Sequence, residues 1–265
     1  MKLIELIEQY NSLNLSKTIN FDKFNLFSIT HHSTSLEGST LTETETNLLL
    51  DEGLTPKGKP IEHSLMTTDH AAALVYIIEE AKQKKEISTS FIQHINAKVM
   101  AHTGKVYNTA LGEVDGTKGM FRKGNVMAGS RYFPNYDKVE HLTSKLCNEI
   151  NNKITTAATV TDKINLSFDA QFDLVSIHPF YDGNGRTSRL LMNYIQAYFQ
   201  LPMAIVFKED KADYIDALEK SRTTEDLTAF RNFMTSQYSN YLIREINNFK
   251  NMDKKSGGKG FSFVF

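Results

Sequence analysis

The run from Ile177 to Arg189, I-H-P-F-Y-D-G-N-G-R-T-S-R, constrains this chain more than any other stretch. An apolar helical pattern ends at Ile177. Pro179 stops it, because proline cannot continue a helix and restricts the residue before it. Gly183-Asn184-Gly185 can take positive φ and expose consecutive N–H groups, and it feeds directly into the helical run T-S-R-L-L-M-N-Y-I. A glycine loop that opens a helix is an anion site, and Arg186 and Arg189 add bidentate donors for phosphate. Asp182, one residue ahead of the loop, is a hard oxygen ligand suited to Mg²⁺, and His178 is a base that titrates near neutral pH. A base, a metal ligand, an anion cradle and two arginines within twelve residues describe a site for phosphate transfer.

Composition narrows the setting. A chain of 265 residues is long for one domain and short for two, so one helical domain with embellishments fits. Its 40% apolar and 23% charged residues are ordinary for a soluble protein with a buried core. A formal charge of −1 gives no reason to expect nucleic acid or an anionic membrane as partner. The single cysteine, Cys147, excludes an intrachain disulfide framework and suits a reducing cytosol. The opening M-K-L-I-E-L-I-E-Q-Y interrupts its apolar residues with glutamates, unlike a signal-peptide core. No apolar run approaches the roughly 18 residues needed to span a bilayer. The expectation is a soluble cytoplasmic protein.

Along the chain the apolar spacing predicts mostly helix. Leu3, Ile4, Ile7 and Tyr10 mark a first amphipathic helix. A second carries Phe24, Phe27 and Leu36, with Asn20 as its cap and Gly38 at its end. Thr42-Glu43-Thr44-Glu45 has capping-box spacing and opens a third, which ends at Gly53. Helices follow from Ile61 to about Lys84 and, capped by Ser88 or Ser90, from there towards Gly104. The helical period then stops: residues 105–135 hold glycines at 112, 116, 119, 124 and 129, and predict loops with a short hairpin near 119–133. It resumes with Val139, Leu142, Leu146 and Ile150, continues through Ile164, Phe168, Phe172 and Val175 into His178, and returns around Tyr214-Ala217-Leu218 and from Leu227 to Asn248. The fold class is therefore mostly α with one small β-hairpin flap. The domain reading is an N-terminal helical extension over 1–30, the main domain over 31–250 and a flexible tail over 251–265.

The central motif resembles the signature of the Fic family (filamentation induced by cAMP), H-P-F-x-[D/E]-G-N-G-R-x-x-R. Nine of the twelve positions are specified by that pattern, and His178 through Arg189 match all nine. The resemblance implies a helical core with a hairpin flap, and protein adenylylation: transfer of AMP from ATP to a Ser, Thr or Tyr hydroxyl of a target protein, with release of pyrophosphate. It implies His178 as the general base and Asp182 as the Mg²⁺ ligand. Gly183, Asn184 and Gly185 become the anion cradle, with the Asn184 side chain on the α-phosphate, Arg186 on the β-phosphate and Arg189 on the γ-phosphate.

Three further stretches extend the resemblance. Ser33-x-x-x-Glu37-Gly38 is similar to the family's inhibitory helix, and the i, i+4 spacing lets Ser33 and Glu37 face one side. The resemblance implies that Glu37 pairs with Arg189 and occupies the place of the γ-phosphate. Gly119-x-Phe121-Arg122, followed by Val126-x-x-Gly129, resembles the flap, whose edge can capture an extended target segment by β-augmentation. Lys211 to Leu218 resembles a helix that closes over the base, with Tyr214 able to stack on adenine. The adjacent His31 and His32 lack metal-ligand spacing, so no zinc site is expected. Three alternatives stay open: transfer of another phosphate-containing group, removal of AMP with Glu37 positioning water, or a non-catalytic nucleotide-binding module. The target and the oligomeric state, a homodimer included, are left open as well.

Overall fold

The structure, a computed structural model, describes residues 2–13, 21–129 and 131–256. Ten helices and two small hairpins are described, in the order α1 Leu3–Ser12, α2 Phe21–Leu36, α3 Glu43–Glu52, α4 Ile61–Lys82, α5 Thr89–Val99, β1 Val106–Thr109, β2 Gly112–Asp115, β3 Met127–Ala128, β4 Arg131–Tyr132, α6 Val139–Thr156, α7 Val160–Ile177, α8 Asn184–Tyr198, α9 Lys211–Thr224 and α10 Thr228–Ser256. The mostly-α class with a hairpin flap is what the sequence pattern predicts.

Local signals set several boundaries. The Thr42 hydroxyl accepts from Glu45 N–H at 3.1 Å while the Glu45 carboxylate accepts from Thr42 N–H at 2.8 Å, closing the capping box. Gly53, at φ 71°, ends that helix in the left-handed conformation. Ser88, rather than Ser90, caps α5, accepting from Phe91 N–H at 3.2 Å. The Asn20 cap expected for α2 lies outside the described residues, as does Ser130 in the second hairpin.

The centre of the molecule is α8. Twelve of its fifteen residues are buried, and it packs against α7, α4 and α5. A helix enclosed in this way is held by its neighbours along its whole length, which fixes where its N-terminus points. The core runs continuously from Leu6, Ile7 and Tyr10 of α1 through Phe91, Ile95, Phe168 and Leu191 to Tyr238 and Ile246 of α10.

Three features depart from the sequence expectation. Helix α2 runs unbroken through residue 31, so the expected 30/31 boundary falls inside a helix. Helix α10 continues to Ser256, six residues into the segment read as a tail; residues 257–265 lie outside the described residues. There is also a second hairpin: β1 and β2 pair antiparallel with Val106 opposite Asp115 and Thr109 opposite Gly112. Its two-residue connection, Ala110-Leu111, closes because Gly112 adopts φ 95°. The expected flap hairpin is β3–β4, with Met127 opposite Tyr132.

Candidate active site

Helix α7 delivers His178 and α8 begins six residues later, so the intervening turn sets the site's shape. His178 itself adopts φ 54°, a left-handed conformation rare for a side chain other than glycine. It persists because the surroundings over-determine it. Its N–H donates to the Leu174 carbonyl at 3.0 Å and its carbonyl accepts from Arg122 Nε at 2.8 Å. The Arg122 guanidinium also donates to the carbonyls of Gly124 (2.9 Å) and Pro134 (2.6 Å), and its N–H donates to Pro179 O at 3.0 Å. Arg122 is thus a buried staple between the flap and the turn that carries His178. Its flap companions are built in too. Phe121 packs on Phe180 with centroids 5.5 Å apart, Gly119 lies so close to Gln93 O that a side chain there would collide, and Val126 O accepts from Phe133 N–H at 3.3 Å.

The His178 ring stacks on Phe133 with centroids 3.9 Å apart and planes 22° from parallel. Burial lowers its pKa to about 4; the nearby Val175 carbonyl raises it, while Arg122, Arg131 and Arg222 lower it further. That carbonyl stands short of an ordinary hydrogen bond, since Nδ1 is buried without a partner. At neutral pH the ring is uncharged, the state a general base needs.

The glycine loop is held equally firmly. The Asn184 amide bridges the Phe180 backbone, accepting from its N–H at 3.0 Å and donating to its carbonyl at 2.8 Å. The Asn184 side chain, expected on the α-phosphate, is here buried and doubly bonded to Phe180, where it shapes the loop. Gly183, at φ 78°, sits where a side chain would strike Asn96 and Met100, and its N–H donates to the Asp182 carboxylate at 2.5 Å. Asn96 on α5 donates to Asp182 O and to the Thr187 hydroxyl, both at 3.1 Å. Thr187 N–H closes the first α8 turn on Gly183 O. The N–H groups of Asn184, Gly185 and Arg186 are therefore the orphan donors at the helix start, and the macrodipole adds to their attraction for an anion.

A carboxylate of the protein itself lies close to this helix start. The Glu37 carboxylate lies against Gly185, where an added Cβ would overlap its Oε1. Oε1 accepts from Arg189 Nη2 at 2.7 Å, and Arg189 also donates from Nε to the Ser33 hydroxyl and from Nη2 to the Ser33 carbonyl, each at 3.0 Å. Glu37 stands one residue beyond the end of α2, on the turn closed by Gly38 at φ 102°. Burial pushes its carboxyl up, but Arg189, then Arg186 and Lys211, outweigh this and hold it below its ordinary pKa. Arg186 is buried deeper, with Nη1 3.4 Å from Val99 O and Nη2 3.5 Å from Asp182 Oδ1. The structure therefore joins Ser33, Glu37, the loop and both arginines in one cluster, although α2 and α8 are some 150 residues apart.

Asp182 is the one open carboxylate beside the cradle, with its side chain 58% exposed and Oδ2 free of any protein partner among the described residues. This fits Mg²⁺, which takes one or two carboxylates and completes its shell with phosphate oxygens and water. Among the described residues no group of three or more His, Cys, Asp or Glu could hold a metal unaided.

One expected residue does not join the site. Tyr214 is buried, accepts from Gln171 Nε2 at 2.8 Å through its hydroxyl, and packs on Phe230 and Phe233 at 6.3 and 5.9 Å. The ring is buried among core neighbours, so as it stands it presents no open face to an adenine. Two residues outside the expected set belong to the site: Phe133 and Asn96. Asn96 had a readable signal, a polar residue on the stripe of Phe91, Ile92, Ile95 and Val99 that α5 buries. Phe133 had none, because a stacking partner across a hairpin has no sequence period.

A half-buried histidine on a stapled turn thus stands beside a helix N-terminus, against which the Glu37 carboxylate is packed. Residues 86–196 match the sequence model of the Fic/DOC family. A curated relative, "Protein adenylyltransferase Fic" of Drosophila willistoni, is 29% identical over 204 residues, covering 77% of this chain. The chain spans only 38% of that relative's length. The fold is shared with a Fic-domain-containing signalling protein of Bacteroides thetaiotaomicron, at TM-score 0.80 and 23% identity, covering 94% of this chain and 98% of that one. It is shared too with Fic-1 from C. elegans, at TM-score 0.74 and 23% identity, over 94% and 72% of the two chains. No helix among the described residues is long and apolar enough to cross a membrane.

Proposed function

We propose that this protein is a protein adenylyltransferase held in an inhibited state by Glu37. It transfers AMP from ATP to a side-chain hydroxyl of a target protein. The observation that carries the reading is the Glu37 carboxylate lying against Gly185 while paired to Arg189. An anion in that position marks an anion site, and its removal exposes helix N–H donors and a guanidinium together. The curated relative's name, adenylyltransferase, supports the same chemistry.

In this mechanism ATP displaces Glu37 and its phosphates lie along the N-terminus of α8. The N–H groups of Asn184, Gly185 and Arg186 bind phosphate oxygens, with Arg186 nearest the β-phosphate and Arg189 taking the γ-phosphate. Asp182 would hold Mg²⁺, which offsets charge on the leaving pyrophosphate. The target hydroxyl attacks the α-phosphorus as the neutral His178 ring takes its proton. The new P–O bond forms, the bond to the β-phosphate oxygen breaks, and pyrophosphate leaves. Because His178 is fixed by Arg122 and Phe133, the reaction depends chiefly on positioning and on charge stabilisation. The β3–β4 edge beside His178 aligns an extended target segment. A cytoplasmic setting, where ATP is plentiful, suits the buried Cys147 thiol, whose pKa burial pushes up to about 12.

The test uses ATP labelled at the α-phosphate with the protein, its Glu37→Gly variant and the His178→Ala form of that variant, incubated with cell lysate. Protein-bound label should rise in the first variant and vanish in the second. Equal labelling by all three, or label from UTP in preference to ATP, would overturn the reading.

A further inference from the structure

The last two turns of α2 have an unusual burial pattern. Thr30, His31, His32, Ser33 and Thr34 are all buried, although five successive residues sweep more than a full turn of helix. This end of α2 is therefore enclosed on every side, and each side is met by a different element through a polar contact. Ser33 meets Arg189 on α8. His31 Nδ1 is 3.4 Å from the Thr46 hydroxyl on α3, and Thr30 is 3.3 Å from His70 Nδ1 on α4. His32 meets the turn that precedes α9: its Nδ1 accepts from Lys208 N–H at 3.3 Å, and its ring sits edge-on to Phe207 with centroids 5.0 Å apart.

His32 is only 3% exposed, and its Nε2 is buried without a partner. Because Nδ1 accepts, the ring is neutral with its proton on Nε2. Burial, with His31 beside it, lowers its pKa to about 4, in keeping with that state. The Glu209 carboxylate, 4.0 Å from Nδ1 and largely in solvent, adds little to a neutral ring. An orphan donor in a buried helix is a cost. His32 retains one compensating bond, and that bond joins the gate helix to the Phe207–Lys208 backbone.

We propose that His32 is the positioning residue of the gate: by fastening α2 to the Phe207–Lys208 turn it keeps Ser33 and Glu37 seated on Arg189. A shift of that turn, which leads directly into α9, is thereby passed to the inhibitory carboxylate. This rests on the adenylyltransferase reading above and assigns His32 no contact with substrate.

The experiment uses the full chain with His32→Phe, which keeps an aromatic ring but loses the acceptor, and His32→Asn, which restores an acceptor near Nδ1. Each is made alone and with Glu37→Gly, and transfer of labelled AMP is measured beside amide hydrogen exchange over residues 30–37. His32→Phe should raise transfer and the exchange rate by about three- to ten-fold, the loss of one hydrogen bond, and His32→Asn should stay near the starting protein. In the Glu37→Gly background His32→Phe should add nothing, since a gate already removed cannot be loosened further. Should His32→Phe not fold, His32→Ala takes its place in every arm. If Glu37→Gly raises transfer while the His32 variant does not, or if the variant changes both backgrounds by the same factor, the positioning role is overturned. If Glu37→Gly leaves transfer unchanged, the functional reading falls instead. Unchanged exchange over 30–37 would then overturn the positioning role independently of catalysis.

Discussion

The turn proposed as catalytic and the proposed gate meet within one cluster, yet they are held in opposite ways. The turn from His178 to Asn184 is fastened from three elements: Arg122 on its carbonyl, Asn184 across Phe180, and Asn96 on Asp182. Removing one leaves the others in place. The Glu37 carboxylate of the gate, by contrast, is held by its pair with Arg189, and the Glu37 side chain remains about 32% exposed. A partly exposed ion pair is a modest and screened interaction, so an incoming triphosphate can compete with it. The comparison teaches that the fold invests rigidity where geometry must not change and reversibility where a ligand must enter.

The largest effect belongs to the rigid region. His178→Ala should lower AMP transfer by roughly 10²–10⁴-fold in the Glu37→Gly background, measured by single-turnover labelling. The pH profile sharpens the point. A base with pKa about 4 is neutral throughout the physiological range, so transfer should stay flat from about pH 8 to below 6, where an ordinary histidine would already be losing activity. Stability behaves otherwise. The unfolded chain takes up a proton near pH 6.5 while folded His178 and His32 resist until about 4. Their contribution is full above pH 6.5 and is lost as pH falls towards 4. A thermal-melt series from pH 7.5 to 4.5 should show Tm dropping before the rate constant does. A rate that halves near pH 6.5 would break the argument that the ring is desolvated.

The reversible region should respond in the other direction. Glu37→Gly removes the occupant of the anion site, and transfer should rise by roughly 5–150-fold, the usual range for coupling between two ligands. The apparent KM for ATP should change less than kcat if Glu37 misplaces bound nucleotide rather than excluding it. A fall in KM alone would make Glu37 a simple competitor.

The two regions also differ in how far the sequence reveals them. The catalytic turn is local, and His178, Asp182, Gly183 and the two arginines can be read within twelve consecutive residues because a helix break and a helix start need them side by side. The gate can be read only as a spacing, Ser33 to Glu37, whose partner lies far along the chain. Its pairing with Arg189 comes from the packing of α2 and α4 on α8, for which single-sequence periodicity has no signal. The residues that stiffen the turn were equally hidden. Asn184 reads as a ligand because its type is suited to phosphate, whereas its bond to Phe180 is a tertiary choice. The β1–β2 hairpin was obscured because only four residues form each strand and glycines crowd the whole segment.

A smaller effect on the reaction is expected at the clamp itself. Asn184→Ala leaves the buried N–H and carbonyl of Phe180 without partners, a cost of about 1–3 kcal/mol for each. Tm should fall by roughly 5–10 °C for a chain of this size, and transfer should fall with it, because the N–H groups of α8 are no longer aimed. Lost transfer with unchanged Tm would return Asn184 to the role of a direct phosphate ligand. The comparison between a structural clamp and a ligand would then need redrawing.

The smallest effect on the reaction should come from Tyr214, the residue whose side-chain type most invites a role in nucleotide binding. Its ring is packed on Phe230 and Phe233 and its hydroxyl is bonded to Gln171. Tyr214→Leu would remove part of a core contact and strand the Gln171 amide, costing about 2–4 kcal/mol of stability. The KM for ATP should stay within about two-fold of the starting protein, since no face of the ring is free for a base. Measured together, Tm and KM separate the two accounts: packing lowers only the first, and stacking raises the second by the roughly 1–3 kcal/mol that an aromatic–base contact is worth. A KM increase of ten-fold or more at unchanged Tm would mean that α9 swings to present Tyr214 when nucleotide binds. In that case the reversible part of the site would extend beyond α2 into α9, with the His32 contact at the Phe207–Lys208 turn as the joint between them.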